Sequence, residues 1–243
     1  MLQKLDLAAL AEDIVSPYRP IPLASFAAVE VSLFICQGPR SWHRLVAHDE
    51  LLLVLEGVIT LDGPGGRLVV NEGELVTAPR EVAHNAQSGM RSTVVLVQEQ
   101  KPDEHTNGHR GLPDGGRDHL DKVNVAHDVR AAEPFAWLSV GAVGAHAAFA
   151  TRVSGTSAPF RRPEGATLFL VYRGVLDYET PDESGSVVGS QMIIVPRDTP
   201  VTLRSEHGAT VIALARHGTP LPGASTPSVD AGTGPDVDDE PTE

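Results

Sequence analysis

One block of this sequence returns 117 residues further on, without a gap, and that limits the fold more than any other feature does. Gly57 and Val58 match Gly174 and Val175, Pro64 matches Pro181, Pro79 and Arg80 match Pro196 and Arg197, and Thr93 and Val94 match Thr210 and Val211. Residues 50–97 set against 167–214 give 12 identities in 48 positions, and many of the differences exchange one apolar residue for another. The matches fall at turn glycines, turn prolines and strand centres, where backbone geometry narrows the choice of residue. A chain of 243 residues therefore reads as two copies of one small domain rather than as a single large one.

Each copy is written in short β-rich segments. In the first they are VEVSLFICQ, ELLLVLEGVITL, GRLVV, ELVTAP and STVVLVQ, separated by Gly, Pro, Asn and Asp. Such a pattern predicts an all-β barrel or sandwich. Leu2, Leu5, Leu7, Leu10 and Ile14 fall near helical spacing, which predicts a helix over 2–15 ending before Pro17. The expected organisation is a helical arm at 1–20, a first barrel at 21–100 and a linker at 101–131. A second barrel at 132–217 and a disordered acidic tail at 218–243 complete it. The linker is expected because 101–122 is polar and rich in Gly and charge. The tail carries six acidic residues and no Lys or Arg among abundant Pro, Gly, Ser and Thr.

Composition excludes some partners. With 32 acidic against 19 basic residues the formal charge is −13, which argues against a nucleic-acid surface and against an anionic membrane. Cys36 is the only cysteine, so an intramolecular disulfide and a Cys-rich zinc site are both impossible. Asp6, Glu12 and Asp13 interrupt the N-terminal apolar pattern, which does not read as a secretory signal, and no apolar run has the length of a membrane span. A cytoplasmic setting is the expectation.

The residues that bear chemistry lie in the first copy. Trp42-His43-Arg44-Leu45-Val46-Ala47-His48-Asp49-Glu50 precedes LLLVLEG, and Gly73, Pro79 and His84 follow. These segments resemble the two motifs of the cupin superfamily, Gly-x5-His-x-His-x3 or x4-Glu-x6-Gly and Gly-x5-Pro-x-Gly-x2-His-x3-Asn. His43, Glu50, Gly57, Gly73, Pro79 and His84 occupy motif positions, whereas Gln37, Leu45, Glu81 and Ser88 depart from them. The chain is thus similar to bicupins, and the resemblance implies two tandem cupin-type (double-stranded β-helix, jelly-roll) barrels with a short N-terminal helix. It also implies a divalent metal held inside the first barrel by His43, Glu50 and His84, with Leu45 where the second histidine ligand belongs. Strand alternation places His43 with Leu45 on one face, and Glu50 with Leu52 and Val54 on the next. Two imidazoles and a carboxylate suit iron, manganese, nickel or zinc and leave positions open for water or substrate. His48, two residues before Glu50, is a weaker substitute ligand. A metal-free, hydrogen-bonded polar pocket is the alternative.

The second copy is an internal control. At the same offset Phe160, Arg162, Thr167 and Val201 replace His43, Leu45, Glu50 and His84, so a metal site of this type is not expected there. Arg162 is either a contact for a carboxylate or phosphate or part of a surface or interface. His105, His109 and His119 lie in the expected linker, and His127, His146, His207 and His217 are isolated. Trp137 is expected in the second core.

Three functions compete. The first is a metal-dependent enzyme on a small organic molecule in the N-terminal barrel, of dioxygenase, isomerase or lyase type, with Glu50 as ligand or proton acceptor. The second is a non-catalytic ligand-binding barrel, and the third is a scaffold. The expected partner is a small molecule, and covered barrel edges make a homodimer a further expectation.

Overall fold

The computed structural model describes residues 2–26, 28–45, 48–100, 105–107, 119–218 and 221, with the backbone alone for 105–107. The first half contains β1 (Gln3–Asp6), α1 (Leu7–Glu12), β2 (Ile21–Phe26), β3 (Val29–Gly38) and β4 (His43–Leu45). It continues through β5 (Glu50–Glu56), β6 (Val58–Gly63), β7 (Gly66–Asn71), β8 (Glu74–Ala78) and β9 (Asn85–Glu99). A short strand β10 (His105–Asn107) pairs with β4. The second half contains β11 (Asp121–Asn124), α2 (Val125–Ala131), β12 (Leu138–Val143) and β13 (His146–Thr156). It ends with β14 (Thr167–Glu179), β15 (Ser184–Val188), β16 (Gln191–Val195) and β17 (Thr202–Arg216). The protein is all-β, in two barrels of cupin type, with only two short helices.

The 117-residue period holds at the level of backbone. β2, β8 and β9 map without error onto β12, β16 and β17. The isolated bridge His43–His84 returns as Phe160–Val201. Tyr18 and Phe135 share a left-handed backbone, as do Glu81 and Asp198. Gly57, between β5 and β6, and Gly174, within β14, have φ +86 and +89, a backbone in which an L-residue would be strained.

The arms behave differently from the expected helix over 2–15. Gln3–Asp6 is a strand, and the helix begins only at Leu7 because Asp6 caps it, its side chain accepting from Ala9 N at 3.0 Å. The expected linker contains the counterpart: β11 leads into α2, capped by Asn124, whose side chain accepts from His127 N at 2.9 Å. The two arms are exchanged. β1 pairs antiparallel with β16 of the second half, and β11 pairs antiparallel with β8 of the first. The sheet orders are accordingly β1-β16-β14-β17-β13-β12 and β11-β8-β5-β9-β3-β2, each starting on a strand from the other half. Lys122 ties the second arm down through a 3.0 Å ion pair to the buried Glu74. Apart from Gly218 and Leu221, the acidic segment 218–243 lies outside the described residues, as does 101–118 apart from β10.

Three cores result. Phe34, Cys36, Leu52, Val54, Ile59 and Val76 fill the first barrel. Trp137, as expected, fills the second with Phe169, Leu176 and Ile193. The largest lies between them, where Leu51, Leu53 and Val95 of the first half meet Leu168, Leu170 and Ile212 of the second. β5 therefore has both faces buried, which is why it reads as a continuous apolar run instead of alternating. Each of its leucines contributes about 1.5–3 kcal/mol by burial.

Candidate metal centre

Three segments of the first barrel meet at its mouth. β4 and the chain leading to β9 are clamped by two backbone bonds, His43 N to His84 O and His84 N to His43 O, both 2.9 Å. The clamp holds the two imidazoles with ring centroids 4.4 Å apart. The turn that delivers His84 is shaped by Pro79, whose carbonyl accepts from Val82 N at 3.2 Å, and by left-handed Glu81. Asp49 fixes the same turn by accepting from Arg80 N at 2.8 Å. Glu50 opens β5 opposite Ala78 at the end of β8, and β-alternation sends it inward with Leu52 and Val54.

The structure brings His43, Glu50 and His84 together, all buried, with one donor atom from each within 4.8 Å of the others. His84 Nε2 lies 2.6 Å from Glu50 Oε1 and His43 Nε2 lies 3.6 Å from the same oxygen. His84 Nδ1 is 3.0 Å from the Val82 carbonyl, which can only accept, so Nδ1 carries a proton and Nε2 is the atom turned to the centre. Binding of the outer nitrogen to a backbone carbonyl is the arrangement that orients a metal-ligating histidine.

Electrostatics follow from that geometry. Burial pushes the His84 imidazolium down, but the bond to Glu50, its charge and the Val82 carbonyl outweigh burial and leave His84 above its usual value. Burial likewise pushes the Glu50 carboxyl up, and the two imidazoles overcome it, holding Glu50 well below the carboxylate range. His43 ends below its usual value because burial dominates there, and its Nδ1 is buried with no hydrogen-bond partner. The centre thus holds a carboxylate between two imidazoles, with a proton in the 2.6 Å bond that joins His84 to Glu50. A metal fits this donor set, since it would replace the proton between His84 and Glu50.

Leu45, 3% exposed, points inward beside His43. His48 is also buried but does not join the three. It lines a cleft of about 770 Å³ between the halves with Asp49, Glu81, Glu99 and Asp121. In the second barrel the positions equivalent to His43, Glu50 and His84 hold neither imidazole nor carboxylate: Phe160 packs edge-on to Phe169 at 6.2 Å, and Thr167 and Val201 are buried. Arg162 is not at the surface. It is 6% exposed and donates to the Arg216 carbonyl, so its charge serves the backbone of β17.

Two residues absent from the motif reading stand beside the centre. Arg40, in the turn between β3 and β4, lies over the Tyr18 ring, its guanidinium carbon 5.7 Å from the centroid. Tyr18 in turn packs on Phe34, with centroids 6.3 Å apart, and its hydroxyl is within 3.4 Å of Cys36 Sγ. Burial pushes the Tyr18 phenol well above its usual value, so it stays protonated as a donor. The Gly38-Pro39 turn ahead of Arg40 was the only sequence signal for this arrangement.

No protein-family model matches the chain, and no curated protein matches it either. Solved structures do. A cupin 2 conserved barrel domain protein from Leptotrichia buccalis superposes with a TM-score of 0.70 at 10% identity, covering 88% of this chain and 96% of that one. Salicylate 1,2-dioxygenase from Pseudoaminobacter salicylatoxidans, in complex with gentisate, gives a TM-score of 0.71 at 13% identity, covering 89% and 82%. Ylba from E. coli gives 0.58 at 10% identity, covering 90% and 93%. The neighbours are cupin-barrel proteins, and at these identities they establish the fold alone. No helix among the described residues is long and apolar enough to cross a membrane.

Proposed function

We propose that the chain is a bicupin whose first barrel, 21–100, binds one divalent metal through His43, Glu50 and His84 and transforms a small organic molecule there. The carrying observation is the burial of these three donors within 4.8 Å of one another. Two imidazoles with one carboxylate is a donor set of non-haem iron sites and also serves manganese, nickel and zinc. A metal held there would supply Lewis acidity, or a site for O₂ if it is redox-active. Dioxygenase chemistry is the first choice of reaction, supported by the salicylate dioxygenase among the structural neighbours, with isomerase or lyase chemistry as the alternative.

The protein's own residues would do the following. The Val82 carbonyl holds His84 in one tautomer with Nε2 inward. Glu50 accepts the proton that His84 carries when no metal is bound, and is placed to accept one from a substrate. Leu45, Leu52 and Val54 keep the surroundings apolar, which strengthens every charge interaction at the centre and favours an organic over a sugar substrate. The second barrel, 132–217, serves as scaffold.

A second reading, a ligand-binding barrel without metal, is favoured by one observation: the 2.6 Å bond already satisfies His84 and Glu50 mutually. Elemental analysis of protein purified without added metal separates the two. The expected result is about one equivalent of iron, manganese, nickel or zinc per chain, lost in His84→Ala. Folded wild-type protein free of metal, and unable to take it up, would sink the metal reading in favour of the second.

A further inference from the structure

We propose that the cleft between the two halves is a second binding site, built for an organic cation that carries two or more ammonium groups on an apolar chain. None of His43, Glu50 and His84 lines this cleft, so the proposal does not rest on a metal at the first site. Its volume of about 770 Å³ is that of a small-molecule site.

The walls are strands that have just left the central core. Leu75 on β8, Val97 on β9 and Val123 on β11 pack in or against that core. Two positions from each, and on the same face by strand alternation, stand Thr77, Glu99 and Asp121, with Asp121 opposite Thr77 in register. The apolar contact between the halves therefore gives way to an acidic rim. β12 of the second half closes the far side, and two glycines let it come near. A Cβ at Gly141 would stand 2.7 Å from Leu51 Cδ2, and one at Gly144 would run into the Glu99 carboxylate. Val123, Val140 and Ala142 supply apolar lining between the acids.

Asp49, Glu81, Glu99 and Asp121 line the cleft against Arg80 alone among the described lysines and arginines, and Arg80 is exposed. Asp62, Glu72 and Asp198 pair with arginines, whereas the carboxylates of Glu81 and Glu99 have neither an ion pair nor a hydrogen bond among the described residues. A concave surface of one sign concentrates ions of the other. His48 is an independent sign of a ligand. It is only 5% exposed, it lines the cleft, and its Nδ1 is buried with no hydrogen-bond partner. An ammonium N–H donated to the imidazole would satisfy it.

A bare metal ion does not suit the cleft. Among the described residues only His43, Glu50 and His84 bring three such donor atoms within 4.8 Å of one another, so the acids of the cleft stand too far apart for three to share one ion. Separated carboxylates are matched by separated ammonium groups, with the methylenes between them laid on Val123, Val140 and Ala142.

Spermidine and 1-aminobutane test this by calorimetric titration of the full-length protein at low salt. Spermidine should bind about tenfold or more tighter than 1-aminobutane, which offers a single ammonium group. Glu81→Gln combined with Glu99→Gln should weaken spermidine by about tenfold or more, and so should Ala142→Leu, which narrows the cleft and leaves its charge intact. Asp238→Asn combined with Asp239→Asn removes the same charge from the acidic segment at the C-terminus and should leave the affinity unchanged. Thermal midpoints without spermidine identify the folded variants, and one folded cleft variant suffices for the comparison. No binding of spermidine, equal affinity for the two amines, spermidine binding indifferent to the cleft changes, or an equal loss in the Asp238 and Asp239 variant each overturns the proposal.

Discussion

Leu45 is the residue on which the strength of the centre turns. It faces inward beside His43, so on the proposed metal reading Leu45→His should add a third imidazole and raise metal affinity by at least about tenfold, or 1.4 kcal/mol. Competition with a chromogenic chelator measures this, and unchanged affinity would place Leu45 away from the metal. The buried pair makes a pH prediction. Glu50 is depressed, so its contribution is present above its unfolded value of about 4.3 and is lost as pH falls; His84 is raised, so its contribution is present below about 6.5 and is lost as pH rises through its higher folded value. In metal-free protein Glu50→Gln should therefore cost about 1–3 kcal/mol, with the largest loss between those limits, read from denaturant unfolding at several pH values. Metal affinity should run the other way and rise with pH, because binding expels the His84 proton. His43, Glu50 and His84 were legible in the sequence because motif spacing specifies them directly. The stacking of Arg40 on Tyr18 was not, because motif spacing does not place that ring beneath the guanidinium.

At the scale of elements the barrel strands were legible and the arms were not. The strands keep the 117-residue offset, so a gapless comparison exposes them. The arms are offset by 118: Lys4 matches Lys122, Ala8 matches Ala126, and the cap Asp6 matches the cap Asn124. That single-residue shift hid the second arm inside an apparent linker. The leucine spacing of the first arm suggested helix from residue 2, but sheet pairing with β16 claims Gln3–Asp6. Asn124→Ala should destabilise the protein by about 1 kcal/mol through loss of the cap, seen as a lowered thermal midpoint. Gly174→Ala should cost more. Its Cβ would stand 2.3 Å from the Gly208 carbonyl in a left-handed backbone, and a loss of about 1–3 kcal/mol is expected. A neutral result at Gly174 would mean that β14 has another conformation at that point.

At the scale of the molecule the central apolar core and the exchanged arms make the two halves one cooperative body. A protease site introduced at 111–116 and cut should leave both pieces co-eluting on size exclusion and unfolding in a single transition; pieces that separate would contradict the exchange. The arm exchange also bears on whether either half can stand alone. One of the two strands beside Glu50 is β8, and β8 is held on its other edge by β11, from the second half. The half that carries Phe160, Thr167 and Val201 thus supplies the outer support of the barrel that carries His43, Glu50 and His84. Asp121–Asn124 serve the first half whatever side chains fill the interior of the second. With the arms exchanged in this way, removing either half would strip a strand from the edge of the other, so neither half is complete alone.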